Sequence, residues 1–281
     1  MTLWQVDFSA RPLTNPQGQT LWELLIVDPL GQILHQAQCS QAQARLDWLI
    51  RQLEICIQRT GSCPERIQLF RPQCLSLFEV AANELNLMVE PTRHTPALKR
   101  LLAAQAEHYP TAANYTGEPY QPLHITSLPP VPLPDYLWGE GWQFTGLMAE
   151  ELETHLITQP IPILSLRMDL LPSQLGLAAS VVIPGIIIYG GRRSMALARW
   201  CQEQNPAEVE FIAGQPDGLI MSAGLWERWV LVTFDDPQVK QSAQGFMTRR
   251  AAAQGLHFLM IQPDESGVTY TGLWLLQHSS S

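Results

Sequence analysis

Lysine is scarce in this sequence, which leaves arginine as almost the only source of positive charge. Among 281 residues there are two lysines, Lys99 and Lys240, against 15 arginines. Acidic residues outnumber basic ones, so the formal net charge is −9 at pH 7. Such a balance argues against indiscriminate coating of nucleic acid. The preference for arginine nevertheless favours specific contacts with nucleic acid, because a guanidinium group binds phosphate with two hydrogen bonds and stacks on bases.

Cysteine pairs and long apolar runs are also missing. No Cys-x-x-Cys spacing occurs, so neither a disulfide framework nor a zinc site is indicated, and buried thiols are the simpler interpretation. No uninterrupted apolar run approaches the roughly 20 residues of a membrane span, and the first residues lack the segments of a signal peptide. We expect a soluble protein without integral membrane association, metal or cofactor. The five cysteines are Cys39, Cys56, Cys63, Cys74 and Cys201.

The signatures of common nucleotide-binding and catalytic sites are absent too. No Gly-Lys-Ser/Thr follows a glycine-rich loop, and there is no Gly-x-Gly-x-x-Gly fingerprint. The histidines are scattered, and His257, which alternates with Leu256 and Phe258, is typical of a satisfied structural histidine on a strand. No nucleophile, base and orienting group come together. The sequence therefore predicts a protein that is not an enzyme.

Residues 1–108 show the alternation of strand and helix patterns that an α/β domain requires. Their order is β-β-β-α-β-α-β-α, which resembles the ribonuclease H-like fold. Nucleases of that fold hold two metal ions with acids on the first strand, the first helix and the fourth strand. Asp7 matches the first position and Glu54 or Asp47 the second, but the third falls at Arg71 and has no carboxylate. We expect a degenerate, non-catalytic domain, with a metal-dependent nuclease as an alternative.

Residues 109–135 are rich in proline, which favours a stiff linker between domains. The tyrosines of this stretch are more typical of docking onto a domain than of base stacking. Residues 136–281 form a mixed α+β domain that opens with a helix from about Gly146 to Thr158. It closes with a terminal hairpin and a polar end at Ser279–Ser281. The seven prolines are Pro110, Pro119, Pro122, Pro129, Pro130, Pro132 and Pro134.

A second nuclease alternative comes from the C-terminal part. Asp217 follows a proline, and Glu227, Arg228 and Trp229 come after it, which resembles the Pro-Asp…Glu-x-Lys arrangement of restriction-endonuclease-like enzymes. Trp229 stands where the lysine is needed. Because that group is missing and the pattern is permissive, we interpret the match as a coincidence and keep this nuclease only as an alternative.

The stretch from 180 to 200 is the one around which the C-terminal domain is organised. A β-branched run precedes Gly190 and Gly191, and good helix formers follow. A glycine turn can present backbone amides to an anion, and a helix N-terminus attracts negative charge. An ordinary strand-turn-helix connection is the simpler alternative. The local charge favours the anion site, because the region 170–202 has no carboxylate and its charged residues are Arg192, Arg193 and Arg199.

Several short motifs, in a fixed order from the first strand to the last, carry a family resemblance. The chain opens with Trp4-Gln-Val-Asp7-Phe8-Ser9-Ala-Arg11-Pro12 and continues with Leu21-Trp22-Glu23-Leu24-Leu25. Later matches are Phe70-Arg71, Leu133-Pro134-Asp135, Trp138-Gly139-Glu140-Gly-Trp142-Gln-Phe144, Ile183-Pro184-Gly185, Ala196-Leu197-Ala198-Arg199-Trp200, Gly224-Leu225, Arg228-Trp229, Gly255-Leu256-His257-Phe258-Leu259 and Gly272-Leu-Trp274-Leu275-Leu276. In their order and spacing the motifs cover essentially the whole chain. The sequence resembles the Tab/Atab ("Tab-two" type) family of cyanobacteria and plastids.

The resemblance implies an RNA-binding protein that promotes translation of photosystem subunit messages, chiefly those of photosystem I. The implied partner is single-stranded, A/U-rich RNA in the 5′ untranslated region of such messages, contacted mainly by the C-terminal part. Guanidinium groups there would hold phosphates, and aromatic rings would stack on bases. The alternative for each ring is core packing. The predicted RNA-binding residues are Arg192, Arg193, Arg199, Trp200, Arg228, Trp229 and Trp274.

Two other functions stay open at this point. One is the nuclease, and the other is a photosystem assembly factor that binds proteins without RNA, through its acidic surface and proline-rich stretch. Translation or assembly proteins are the protein partners that such roles imply. We expect a cytoplasmic location, with peripheral attachment at the thylakoid surface left open. The sequence does not indicate an oligomeric state.

Overall fold

The computed structural model describes residues 2–125 and 128–278, which belong to two compact units. Within these ranges the strands form three mixed sheets, with helices packed on them, so a mixed α and β fold is confirmed. No helix in the described part of the chain is long and apolar enough to cross a membrane. The predicted polar end at Ser279–Ser281 lies outside the described residues. The predicted domain boundaries at 108 and 135 stay a prediction.

The described residues of the first unit form five strands and three α-helices in the predicted order β-β-β-α-β-α-β-α. They are β1 (Leu3–Thr14), β2 (Thr20–Val27), β3 (Ile33–Ser40), α1 (Leu46–Thr60), β4 (Arg66–Leu69), α2 (Leu75–Leu85), β5 (Val89–Pro91) and α3 (Pro96–His108). The sheet order is β3-β2-β1-β4-β5. The first three strands are antiparallel neighbours, and β4 and β5 run parallel to β1. Parallel neighbours need a crossover, and α1 and α2 provide it.

The first unit's core is made by the buried side of α1 against the sheet. Leu49, Leu53 and Cys56 recur at intervals of a helical turn and are fully buried. Each of the two leucines contributes roughly 1.5–3 kcal/mol through the apolar surface that it removes from water. The helix ends at Gly61, whose φ of +65° is the left-handed conformation that glycine adopts without strain.

Much of the proline-rich stretch packs on the first unit. The backbone amide of Thr116 donates to the Pro12 carbonyl at 3.0 Å, and Asn114 Nδ2 donates to the Thr14 carbonyl at 2.7 Å. Ile125 packs against an apolar cluster of the first unit. A stiff linker over the whole span 109–135 is therefore not confirmed.

The second unit holds the remaining elements in two sheets. They are β6 (Val131–Pro132), β7 (Gly141–Met148), α4 (Ala149–Glu151), β8 (Ile163–Ser165), β9 (Val182–Tyr189), α5 (Ser194–Gln204), β10 (Pro206–Ile212), β11 (Asp217–Ala223), β12 (Glu227–Phe234), α6 (Pro237–Ala252), β13 (Leu256–Gln262) and β14 (Gly272–Gln277). One sheet has the order β10-β11-β12-β6 and the other β7-β9-β13-β14-β8. Both sheets share one apolar core with α5. In the larger sheet β9 and β13 run parallel, so their carboxyl ends meet at one edge.

One predicted helix is a strand at its beginning. The sequence predicts a helix from about Gly146 to Thr158, whereas β7 continues to Met148 and pairs antiparallel with β9. Without β7, the backbone groups along that side of β9 would have no strand partner, so tertiary pairing overrides the local helical pattern. Helical structure is limited to α4 and a π-helical turn over Leu152–Leu156.

The predicted terminal hairpin is confirmed, because β13 and β14 pair antiparallel. Side chains of β13 alternate between the two faces of its sheet. Leu259 and Ile261 belong to the core shared with α5, and Phe258 and Met260 belong to the apolar cluster on the opposite face. This alternation decides which residues of β13 can reach each surface.

Candidate nucleic-acid interface

A turn rich in arginine, Gly190–Arg193, joins β9 to α5; we refer to it as the arginine turn. The strand ends at Tyr189, a 3₁₀ turn spans Gly191–Arg193, and the helix begins at Ser194. Gly191 has a φ of +53°, a conformation that favours glycine. The predicted strand, glycine turn and helix are therefore confirmed.

Three arginines in this region are exposed. Arg192 and Arg193 lie in the turn and Arg199 lies on α5. None of them forms an ion pair with a carboxylate in the ranges that the structure describes. Because α5 begins only at Ser194, both turn arginines precede the helix, and helical periodicity does not decide where they point relative to Arg199.

The backbone amides of Gly190 and Gly191 are not available to an anion. Gly190 donates to the Gln262 carbonyl at 2.8 Å, and Gly191 donates to the Pro263 carbonyl at 2.9 Å. These bonds extend the pairing of β9 with β13 beyond the strand ends. The predicted presentation of these amides to phosphate is therefore wrong, and the arginine side chains are what the turn offers to an anion.

A carboxylate also lies against the arginine turn. The Glu140 side chain occupies the space that a Cβ atom on Gly191 would need. Its backbone is fixed by a hydrogen bond of 2.7 Å from the Glu140 amide to the Tyr189 carbonyl. The local sequence has no acid between 170 and 202, but the fold brings Glu140 from the segment before β7. The surface is therefore less positive than the local sequence predicts.

Trp200 of α5 and Trp229 of β12 contact each other edge to face. Their ring centroids are 5.0 Å apart, and the ring planes are inclined at 81°. Both side chains are partly exposed. Trp229 Nε1 is buried and has no hydrogen-bond partner among the described residues. The pair packs α5 against β12 and still leaves ring surface in contact with solvent.

The other two predicted residues are less open. Arg228 Nη2 donates to Glu210 Oε1 at 2.9 Å, so its charge is paired. Trp274 is only 2% exposed and lies in the core, beside Gly272. It belongs to β14, which is flanked by β13 and β8. Its ring therefore has no face open to a base.

Two family profiles match the chain. The one described as "RNA-binding protein Tab2/Atab2, C-terminal domain" matches residues 120–277, and the one described as "RNA-binding protein Tab2/Atab2 N terminal" matches residues 3–105. The chain belongs to the Tab2/Atab2 family. The resemblance that the sequence motifs indicate is thereby confirmed.

Relatives in the Tab2/Atab2 family align along nearly the whole chain. "Protein TAB2 homolog, chloroplastic" of Arabidopsis thaliana is 27% identical over 282 residues, which cover 97% of this chain and 74% of that protein. The protein of the same name from Zea mays is 26% identical and covers 97% and 70%, respectively. One solved structure is also similar, that of the simian T-cell lymphotropic virus intasome in complex with the PP2A regulatory subunit B56 gamma. The sequence identity is 16%, and the alignment covers 51% of this chain and 64% of the chain in that structure. Its TM-score of 0.25 does not establish a shared fold.

In this member of the Tab2/Atab2 family, the acid on the first strand is paired with arginines. Asp7 is fully buried, and its Oδ2 accepts from Arg11 Nη1 at 2.8 Å while its Oδ1 accepts from Arg71 Nε at 2.6 Å. Burial alone would raise the pKa of Asp7, but the two guanidinium groups hold that pKa below its ordinary value. Arg11 Nε donates in turn to Glu23 Oε1 at 3.0 Å. Both oxygens of Asp7 are thus engaged by arginine.

The remaining acids of the ribonuclease H-like interpretation do not gather around Asp7. Glu54 and Asp47 are exposed on α1, opposite the buried side formed by Leu49 and Leu53. Within the described ranges, no group of three histidine, cysteine, aspartate or glutamate side chains is placed to hold a metal ion. The structure therefore does not bring together the acids that the sequence offered for two metal ions.

The second nuclease pattern is also divided by the fold. Asp217 lies opposite Phe234 in the β11–β12 pair, whereas Glu227 lies opposite Ala223 at the other end. Six residues of strand separate the two positions along β11, which is about 20 Å at the usual rise of a strand. Lys240 Nζ is 2.9 Å from Asp217 Oδ2, so this carboxylate has a structural partner. One metal ion cannot contact both acids.

His257 has the structural role that its place on β13 predicts. Its ring is fully buried, its Nε2 accepts from the Val209 amide at 2.8 Å, and its Nδ1 lies 2.9 Å from the Gly255 carbonyl. These contacts require a proton on Nδ1 and a lone pair on Nε2. Burial lowers the pKa of His257 to about 3, so the ring is neutral near pH 7.

Sequence reasoning missed the two residues that border the arginine turn. Glu140 and Gln262 are both distant from it along the chain and reach it only through the neighbouring strands of the larger sheet. One feature of the sequence could have indicated Gln262. It is a polar residue at the carboxyl end of a largely apolar strand, and ligands commonly bind at that end of parallel strands. No comparable signal marks Glu140.

Proposed function

We propose that the chain binds single-stranded RNA through its second unit and promotes translation of photosystem subunit messages, chiefly those of photosystem I. Membership of a family described as RNA-binding supports the first part. The chloroplastic relatives support a role in photosynthetic cells. The proposed target is A/U-rich RNA in the 5′ untranslated region, bound without catalysis and without a cofactor. The proposed location is the cytoplasm, including the thylakoid surface.

The observation that carries the proposal is the set of exposed arginines at the arginine turn and on α5. Arg192, Arg193 and Arg199 have no carboxylate partner in the described ranges, in a chain whose formal net charge is −9. Arg228 and Lys240, by contrast, are paired with acids. An unpaired guanidinium group can neutralise a phosphate and release its counterion, which is the main source of sequence-independent affinity.

The proposed face combines these arginines with the Trp200–Trp229 pair. A base stacked on a ring contributes roughly 1–3 kcal/mol, so a partly exposed ring pair adds usefully to the phosphate contacts. Arg228 is paired with Glu210, so it contacts RNA only if a phosphate displaces that carboxylate. We leave Trp274 out of the face because it is buried.

The first unit is proposed to be a degenerate ribonuclease H-like domain that acts as a scaffold. Its sheet order β3-β2-β1-β4-β5, with β4 and β5 parallel to β1, supports that fold. The pairing of Asp7 with Arg11 and Arg71 supports the loss of metal binding. The nuclease alternatives are not proposed, because neither set of acids is brought together.

A titration of A/U-rich, single-stranded RNA tests the proposed function. Filter binding is measured with the full chain at roughly 50 mM and 200 mM salt, with magnesium present. We expect the affinity to fall as salt rises and the RNA to remain intact. Absence of binding at both salt concentrations would refute the proposal. Cleavage that Asp7→Asn or Asp217→Asn abolishes would establish a nuclease instead.

A protein-binding role in photosystem assembly is the second candidate. Within the second unit, Leu128, Tyr136 and Trp138 are 56%, 64% and 44% exposed. Large apolar side chains exposed within one short stretch are typical of protein contacts. Association with translation or assembly proteins that survives ribonuclease treatment, and that Tyr136→Ser abolishes, would favour this function over RNA binding.

A further inference from the structure

A cavity of about 310 Å³ opens on one face of the larger sheet of the second unit. Its floor is formed by Ile187 of β9 with Phe258 and Met260 of β13, and its lining includes Tyr270 and His155. Small-molecule sites are usually about 300–1,000 Å³ with an apolar lining and a few polar groups. A cavity at the lower end of that range suits one heteroaromatic ring system better than a whole dinucleotide.

One wall of the cavity comes from an irregular helix. Glu151 ends α4, His155 belongs to the π-helical turn Leu152–Leu156, and Gln159 follows it. A π-helical turn is rare and is found frequently at functional sites. The polar side of the cavity is therefore built on a backbone conformation that regular secondary structure would not produce.

Gln262 brings a carboxamide to the cavity. The residue is 4% exposed and lines the cavity, and strand alternation places its side chain on the same face as Phe258 and Met260. Its backbone carbonyl accepts from the Gly190 amide at 2.8 Å. The carboxamide supplies the cavity with a hydrogen-bond donor and an acceptor beside its apolar floor.

The cavity adjoins the arginine turn. The 2.8 Å bond between the Gly190 amide and the Gln262 backbone carbonyl joins the turn to the residue whose side chain lines the cavity, at the carboxyl edge of β9 and β13. Open sheets with parallel strands commonly bind ligands at that edge. No arginine or lysine is among the described residues that line the cavity, whereas Glu151 is. The buried part of a ligand is therefore not anionic, and a phosphate would lie outside, toward Arg192 and Arg193.

We propose that this cavity binds one unstacked base of the bound single-stranded RNA. Gln262 then forms hydrogen bonds with the edge of the base, and the arginine turn contacts the phosphate of the same nucleotide. The inference rests on the proposed function and adds a base-recognising residue to it. A carboxamide carries a donor and an acceptor side by side, which matches the adjacent acceptor and donor on a base edge. Tyr270, which is partly exposed, supplies aromatic surface for contact with the ring. The cavity thus accepts a base without fixing which one.

The methyl group of Met260 reports occupancy of the cavity without any need for RNA. In the full chain labelled with ¹³C-methyl methionine, millimolar adenosine should shift the Met260 signal, assigned through Met260→Leu. The signal of Met168, which is 69% exposed and does not line the cavity, is the control and should not move. If adenosine, guanosine, cytidine and uridine all leave the Met260 signal unchanged, the cavity is not a base site and the inference is overturned.

The variant Gln262→Met tests the same cavity with RNA. It preserves the size of the side chain and removes the carboxamide, so we expect the Kd for single-stranded RNA to rise roughly 5- to 100-fold, the range of one lost base contact. The Tm should stay close to that of the parent, because the size of the side chain is preserved. Gln244→Met on the exposed side of α6 is the matched control and should change neither quantity. If Gln262→Met does not fold, Tyr270→Leu replaces it with the same expected loss of affinity.

The outcomes separate this inference from the proposed function. Unchanged RNA affinity in a folded Gln262→Met protein would overturn the base site and leave RNA binding standing. If the parent binds no RNA while adenosine shifts Met260, the proposed function fails and the cavity is a site for free nucleosides, which overturns its assignment to RNA. A raised Kd and an unchanged Tm in Gln262→Met, together with the shift of the Met260 signal in the parent, support both the RNA-binding function and the base site.

Discussion

Arg71 Nε donates a hydrogen bond of 2.6 Å to Asp7 Oδ1, so a guanidinium group lies where the ribonuclease H-like interpretation calls for another acid. The terminal nitrogens of Arg71 donate to the backbone carbonyls of His124 and Pro122. One side chain therefore joins the first strand to the proline-rich segment. Because proline has no amide hydrogen, strand pairing is restricted in this segment, and side-chain donors satisfy its carbonyls instead.

Asp7→Asn should destabilise the protein without affecting any cleavage of RNA. The substitution leaves two buried guanidinium groups without their shared counter-charge, and breaking a buried pair in this way costs about 3–5 kcal/mol. Urea denaturation measures the loss. Asp47→Asn on the exposed side of α1 is the matched control, and a surface change of that kind should stay within about 0.5 kcal/mol.

The Tm measured with and without magnesium shows whether Asp7 is a metal ligand instead of a structural residue. An ion that binds only the folded protein raises its Tm by mass action. If magnesium raises the Tm of the parent but not that of Asp7→Asn, then Asp7 is a metal ligand and the structural role assigned to it is wrong.

The stability of the second unit should fall in mild acid because of His257. Burial lowers the pKa of His257 to about 3, whereas an unfolded histidine titrates near pH 6.5. Below about pH 6.5 the unfolded chain therefore binds a proton that the folded chain does not, and stability falls as the pH drops toward about 3. The limiting slope from this residue is about 1.4 kcal/mol per pH unit.

Denaturation of the parent and of His257→Gln, at about pH 7 and about pH 5, isolates that contribution. Glutamine can retain both a donor and an acceptor but does not titrate. We expect a lower starting stability and a shallower loss between the two pH values in the variant. Equal losses in the two proteins would show that His257 is not the group responsible.

Glu140→Gln should strengthen RNA binding. The carboxylate of Glu140 lies against Gly191, next to the arginines proposed to hold phosphate. Removing an exposed charge near the site should lower the Kd by roughly two- to fivefold, as expected for a screened surface interaction. The gain should shrink at high salt.

The control for Glu140 is Glu84→Gln, which removes the same charge from an exposed position on α2. It should leave the Kd unchanged. If Glu140→Gln and Glu84→Gln behave alike, Glu140 does not face the bound RNA, and the phosphate path runs elsewhere.

Much of the fold follows from local patterns in the sequence. The order of strands and helices in residues 1–108 and the terminal hairpin depend on patterns that each extend over a few residues, and these elements form as predicted. Family membership follows from the order of short motifs, which does not depend on three-dimensional contacts. β7 was missed because its strand conformation depends on pairing with β9 and not on its own residues.

The site is harder to predict because its contacts join distant parts of the chain. Gly190 is bonded to Gln262 and lies near Glu140 only because β7, β9 and β13 are neighbours in the sheet. Local charge could therefore identify the arginines but not the acid beside them. Trp274 and Trp229 look alike in sequence, and only the place of each strand in its sheet makes one buried and the other partly exposed.

The salt dependence of RNA binding tests the central claim, that Arg192, Arg193 and Arg199 contact phosphate. The measurement is the slope of log K against log salt for single-stranded RNA, in the parent, in each arginine-to-alanine variant and in Arg192→Ala/Arg199→Ala. Arg249→Ala, an exposed arginine on α6, is the control. We predict that each arginine removed reduces the magnitude of the slope by roughly 0.7. It should also weaken binding to a similar degree for different RNA sequences. An unchanged slope and an unchanged Kd in the double variant, with a normal Tm, would contradict the claim and place the RNA site elsewhere.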